Sequence, residues 1–169
     1  MAKNPHFILD LGCGNNKQPG AWGIDLEGDQ KDQEFDLEFF PWPLAAGHYV
    51  VVYALQALEH LDDRVRTMEE IWRVCRHGAL VYVTVPDGYC PGYVQDPTHK
   101  RPWSLGTFLY FCPDQFMTTG KMPPYEFNAR FRVLHYHEQK AVAQTPWGER
   151  LHADNLVVVL QALKEGTDT

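Results

Sequence analysis

The sequence predicts an α/β fold: a doubly wound, mostly parallel open sheet closed by a C-terminal antiparallel hairpin. Three observations carry that expectation. A short apolar run, Phe7 to Leu11, is closed by Gly12 and Gly14, as in a buried parallel strand ending in a tight turn. Two further buried strands, 49–53 and 79–85, flank a stretch with apolar residues at helical spacing, the pattern of a crossover unit. Finally, 126–139 alternates apolar and polar residues, and 155–163 reads as its antiparallel partner.

At 169 residues the chain suits a single domain, 1–169, with one sizeable core. Its 44% hydrophobic and 22% charged residues are those of a globular protein. The net charge of −7 disfavours a broad polyphosphate-binding surface, and so a nucleic-acid partner. Four cysteines show neither C-x-x-C nor framework spacing, which points to a reducing, cytoplasmic setting. Asp10 interrupts any signal-peptide core. The longest apolar run, 49–55, is too short to span a bilayer. Oligomeric state is not legible.

The first strand ends at Asp10-Leu11-Gly12-Cys13-Gly14, and 21–26 reads as a second strand with Asp25 near its end. Ligands of open parallel sheets bind beyond the carboxyl ends of the strands, where both carboxylates and the glycine turn would meet. A dinucleotide site wants G-x-G-x-x-G and an acidic residue about 20 positions on. Here the third glycine is missing and Asp25 follows Gly12 by 13 positions (25 − 12), which disfavours a nicotinamide enzyme. The stretch instead resembles the D-x-G-x-G motif of class I S-adenosylmethionine-dependent methyltransferases, type 11-like, on a Rossmann-like sheet. The resemblance implies that Asp10, Gly12, Cys13 and Gly14 form the turn against the cofactor's methionine part, and that Asp25 holds the ribose. Glycines used for geometry alone are the competing reading.

Between Leu11 and Ala21 lie nine positions, Pro19 and Gly20 among them, so the first crossover helix is shortened or missing. The peptide N–H groups around Gly12–Gly14, with Lys17, are then left to receive the cofactor carboxylate. A solvated loop lysine is the alternative.

A third strand is expected around 34–37. Asp36 and Leu37, before a proline-aromatic loop (39–44), resemble the family's adenine-contacting pair; an aspartate that only starts a turn is the alternative. After the strand at 49–53, the resemblance puts Ala54, Leu55 and Gln56 along the methionine and sulfonium region. Leu58-Glu59-His60-Leu61 matches the family's "l-E-H-l" segment, where Glu and His read as structural. No further ligand arrives at metal-site spacing, so no metal is expected. Asp62 and Asp63 can cap a helix over 64–77, with Gly78 at its C′ position, a Glu69–Arg73 pair, and Met68 and Trp72 in the core. The helix and the strand that follows resemble a further unit of the same family.

The Gly/Pro/Tyr-rich loop 86–104 and the segment 112–124 read as lids. Asp96-Pro97-Thr98-His99-Lys100-Arg101 resembles a "D-P-x-H-x-R" segment of some family members. His99 is the candidate general base, and Tyr89, Tyr93, Asp96, Arg101 and Trp103 are candidates for shaping the acceptor pocket. A surface lid held by an Asp96–Arg101 contact competes. Ser104 can cap a helix over 105–111, and His135 and His137 read as a solvent-facing pair. The function implied is methyl transfer from S-adenosylmethionine to a small-molecule acceptor. A non-catalytic domain binding S-adenosylmethionine or S-adenosylhomocysteine is the alternative.

Overall fold

The computed structural model describes residues 6–115, 127–140, 142–144, 146 and 150–164. In chain order these form β1 (Ile8–Leu11), β2 (Trp22–Asp25), β3 (Gln33–Glu34), β4 (Tyr49–Leu55), a 3₁₀ turn (Leu58–His60), α1 (Arg64–Val74) and β5 (Cys75–Pro86). Then follow α2 (Pro91–Gln95), α3 (Leu105–Leu109), a second 3₁₀ turn (Pro113–Gln115), β6 (Phe131–Gln139), β7 (Val142–Gln144), β8 (Arg150–His152) and β9 (Asn155–Ala162). The expected lid at 112–124 lies outside the described residues from 116 onward.

Seven strands form one sheet in the order β3-β2-β1-β4-β5-β9-β6, and β7 and β8 make a separate ribbon. β1 pairs in parallel with both β2 and β4, and β4 with β5. β9 inserts antiparallel between β5 and β6, so the expected hairpin closes the sheet. The strand order reverses where β1 lies between β2 and β4, and ligands of open α/β sheets bind at such a switch point.

Along most of their length the central strands β4, β5 and β9 bury alternate residues and leave the intervening ones partly buried. Leu9, Leu11, Ile24, Val52, Val81, Val83, Val158 and Leu160 are fully buried. Side chains of this size each contribute about 1.5–3 kcal/mol when removed from water. From β1 to β2 the chain crosses without any helix, as Pro19 and Gly20 foretell.

α1 is N-capped by the Asp63 side chain, which accepts from Arg66 N–H at 2.9 Å. Met68 and Ile71 are buried on its inner face. The helix ends at Val74, three residues sooner than expected. Cys75 is extended (φ −68, ψ 145) and already belongs to β5, opposite Tyr49. Gly78 (φ 76) is therefore a kink within β5 and not a helix terminator.

The expected Glu69–Arg73 pair is also corrected. Arg73 Nε bonds Glu70 Oε1 at 2.7 Å, while Glu69 accepts from Asn128. Glu70 is buried, and its other oxygen accepts Trp42 N–H at 2.7 Å; Arg73 also reaches the Leu44 and Trp42 carbonyls. This network fastens the proline-aromatic loop to α1. It thereby fixes the wall formed by Asp36 and Leu37. Among the described residues no helix is long and apolar enough to cross a membrane.

Candidate functional site

The turn after β1 is held from below. Gly12 N–H and Cys13 N–H both donate to the Ile24 carbonyl, at 2.8 and 3.2 Å. Gly14 N–H donates to Asp25 Oδ2 at 2.7 Å. These three amides are already engaged, so they do not form the open anion nest that the sequence suggested. The glycines serve close approach instead. A Cβ built on Gly12 (φ +67) would stand 2.6 Å from the Ala57 Cβ, which no side chain could tolerate without a shift.

Asp10 is 2% exposed and accepts the Gln18 N–H at 2.7 Å. It braces the connection that replaces a helix, and burial raises its pKa above the ordinary aspartate value. Cys13 is buried, and desolvation pushes its thiol up to about 11. Lys17 does not turn toward the crevice. Its Nζ pairs with Asp32 at 2.7 Å, and its methylenes lie against Gly23, where a Cβ would meet them at 2.6 Å. The expected positive end for the cofactor carboxylate is thus tied into the β2–β3 connection.

A cavity of about 600 Å³ opens at the carboxyl ends of the strands, within the range of small-molecule sites. Gly12 and Asp25, Asp36 and Leu37, and Gln56 and Ala57 all line it. Asp25 Oδ1 also accepts Glu27 N–H at 3.0 Å, and Asp36 Oδ1 caps Glu38 N–H at 2.9 Å. Asp36 therefore starts a turn and lines the cavity at once. Ala54 is fully buried within β4, and neither it nor Leu55 lines the cavity. The surface expected of them is formed by Gln56 and Ala57, because β4 runs on to Leu55 before the chain turns. Gln56 takes φ +56, the sole positive φ of a non-glycine among the described residues. Lys100 also lines the cavity, with Nζ 2.9 Å from Glu38 and 3.4 Å from Asp62. Nothing local in the sequence marked Lys100 or Ala57; both reach the cavity through tertiary folding.

A second cavity, about 420 Å³, shares Gln56 with the first and is bounded by Asp96, His99, Ala153 and Asn155. His99 Nδ1 lies 2.7 Å from the Tyr93 carbonyl, and the Tyr93 ring stacks on it at 5.3 Å. A carbonyl only accepts, so in the neutral ring Nδ1 carries the hydrogen and Nε2 the lone pair.

The other expected loop residues scatter. Tyr89 is 89% exposed and lines neither cavity. Arg101 binds Asp62, at 3.4 Å to Oδ1, and Asp96 binds Thr98, so the expected Asp96–Arg101 contact is replaced by these two. Trp103 is a core residue: 1% exposed, stacked on Phe108, its Nε1 donating to the Leu58 carbonyl at 3.1 Å. It lines neither of the two cavities.

One cluster escaped the sequence. Glu59, His60 and His99 each offer a ligand atom, all within 4.8 Å of one another. The histidines lie 39 positions apart (99 − 60), too far for any local motif to join them. Glu59 is 1% exposed, and neither carboxylate oxygen has a hydrogen-bond partner. Burial, with the negative charge of Asp96 adding, pushes its pKa to about 7.

Comparison with known proteins gives the same frame. A family model described as a methyltransferase domain matches residues 9–83, from β1 into β5. A curated protein of Mycolicibacterium smegmatis, named "Probable S-adenosylmethionine-dependent methyltransferase", is 26% identical over 182 aligned positions, covering 87% of this chain and 69% of its own. Among solved structures, the YcgJ protein of Bacillus subtilis superposes with a TM-score of 0.67 at 11% identity, over 97% of this chain and 94% of that one. An S-adenosylmethionine-dependent methyltransferase of Methanosarcina mazei superposes at 0.61 and 15% identity, over 94% and 92%. The fold is that of the class I methyltransferases. With the matched domain and the curated relative, the chain is similar to the S-adenosylmethionine-dependent methyltransferases, enzymes whose cosubstrate is S-adenosylmethionine.

Proposed function

We propose that the larger cavity holds S-adenosylmethionine, that the smaller one admits a small organic acceptor, and that the methyl group passes between them beside Gln56. The observation that carries this reading is that Asp25, Asp36 and Leu37 line one cavity together with Gly12, which presents no side chain to it. Each Asp25 oxygen accepts one amide and keeps lone-pair capacity for a ribose hydroxyl. Asp36 can accept from an adenine amino group, and Leu37 can cover the ring.

The sulfonium of the cosubstrate supplies an activated methyl group, so the chain's own work is alignment and exclusion of water. Gln56, fixed by Thr84 and Asn155, is the fixed point common to both cavities. For an acceptor that arrives protonated, Nε2 of His99 is the group able to take the proton. A cytoplasmic enzyme fits the free thiols of Cys13, Cys75 and Cys112.

A second reading, binding without transfer, draws on the engaged amides of the glycine turn, which give the methionine carboxylate no nest there. Calorimetry with S-adenosylmethionine and with NAD tests the ligand class: binding of the first alone is expected. Labelled-methyl transfer into a pool of small acceptors then separates enzyme from binder. Heat with S-adenosylmethionine but no transferred label would favour the second reading.

A further inference from the structure

We propose that Glu59, His60 and His99 form a binding site for a divalent transition-metal ion of the zinc type, at the seam between the two cavities. His60 borders the larger cavity and His99 the smaller, and their ring centroids stand 5.0 Å apart.

Both imidazoles are held by their other nitrogen, as metal-ligating histidines are. His99 Nδ1 faces the Tyr93 carbonyl at 2.7 Å. His60 Nδ1 lies 3.3 Å from the Thr98 carbonyl and 3.1 Å from the Thr98 hydroxyl. That hydroxyl donates to Asp96 Oδ1 at 2.6 Å, so its oxygen is left to accept from His60. Each neutral ring therefore carries its hydrogen on Nδ1 and presents the Nε2 lone pair, the form a cation requires.

The third ligand is the independent sign. A carboxylate with both oxygens buried and unpartnered is strongly destabilising. A proton would still leave an unpaired O–H and an unpaired carbonyl, whereas a cation would satisfy the charge. Asp96 Oδ2, 3.8 Å from His99 Nε2, adds negative potential beside the site. Two imidazoles and one carboxylate suit zinc, with bonds of about 2.0–2.1 Å and so ligand atoms about 3.3 Å apart in a tetrahedron. The trio, spread within 4.8 Å, reaches that spacing by closing about 1.5 Å. Three protein ligands leave a position for an oxygen or sulfur of the acceptor. That last role rests on the methyltransferase reading; binding of the ion does not.

With an ion bound, His99 Nε2 is a ligand and no longer a base, and the ion itself favours the deprotonated acceptor. The exposed pair His135 and His137, with Nδ1 of one 3.3 Å from Nε2 of the other, is a rival binder on β6. The test therefore uses the full chain carrying His135→Ala and His137→Ala, stripped with EDTA and kept free of S-adenosylmethionine. Zn²⁺ is titrated by calorimetry and Co²⁺ by visible absorption. The expected result is saturation at one equivalent, with a dissociation constant of about 1 µM or tighter. Glu59→Gln and His99→Gln should each weaken binding at least about tenfold. Circular dichroism checks the fold, and His60→Gln replaces Glu59→Gln should that variant not fold. Failure to saturate, or undiminished binding in the folded variants, overturns the proposal. Affinity for S-adenosylmethionine, measured separately on the stripped protein, reports on the cofactor reading alone.

Discussion

Asp25 Oδ2 accepts the Gly14 amide at 2.7 Å, which welds the turn after β1 to the end of β2. The same carboxylate is the proposed ribose ligand, so substitution should separate two effects. Asp25→Ala leaves the part-buried Gly14 N–H without its acceptor, a loss of about 1–3 kcal/mol. Asp25→Asn keeps an oxygen for Gly14 but loses the charge. It should therefore retain most of the stability and still bind S-adenosylmethionine about tenfold more weakly, as a lost charge-assisted bond implies. Calorimetry and urea melts on both variants check this. Asparagine binding as tightly as wild type would remove Asp25 from the cofactor site.

Gly12→Ala tests the close approach. The new methyl would meet the Ala57 Cβ at 2.6 Å, at a backbone φ of +67. Both the overlap and the left-handed backbone disfavour alanine, for a combined loss of about 2–4 kcal/mol. Because Gly12 and Ala57 both line the larger cavity, cofactor affinity should fall together with the melting temperature. Adding Ala57→Gly should recover part of each, since it removes the atom being struck.

Lys17→Met should leave cofactor affinity within about twofold of wild type, because Nζ is engaged by Asp32 at 2.7 Å on the β2–β3 connection. Both partners are about a quarter exposed, so the stability change should stay under about 1 kcal/mol. A large loss of affinity would mean that the lysine leaves Asp32 when the ligand arrives.

The sheet was legible because its signals are local. The apolar runs of β1, β4 and β5 and the alternation of β6 each announce a strand within a few residues. Asp25 and Gly12 were legible for the same reason, both lying at strand ends. What escaped depends on what meets across the fold. The direction of Lys17 was set by Asp32, and the core position of Trp103 by Phe108 and the Leu58 carbonyl. The early end of α1 followed from Cys75 joining β5, where pairing with β4 outweighs the helical spacing that continues through Cys75. Glu59 looked like an ordinary polar residue in a familiar motif. Only its burial, with His60 and His99 alongside, marks it as exceptional.

That burial makes the pH dependence of stability specific. The Glu59 pKa rises from 4.5 to about 7 in the folded, metal-free chain, chiefly through desolvation. Below pH 4.5 the folded and unfolded states both carry the proton, and its contribution to stability is fully present. Between pH 4.5 and about 7 the unfolded state releases the proton while the folded state keeps it, so stability falls as pH rises. Above about 7 both states are ionised and the loss levels off, after a total of about 3 kcal/mol. Glu59→Gln has no such proton. In EDTA-treated protein its stability relative to wild type should therefore climb by about 3 kcal/mol across this window, read by urea denaturation at several pH values. The difference between the two curves cancels ionisations elsewhere in the chain and leaves that of Glu59 together with its coupling to His60, His99 and Asp96. A constant difference across that window would show that Glu59 ionises as readily in the folded chain as in the unfolded one. Saturating Zn²⁺ should raise the wild type toward the glutamine variant above about pH 7, since an ion bound only by the folded state stabilises it in proportion to its affinity.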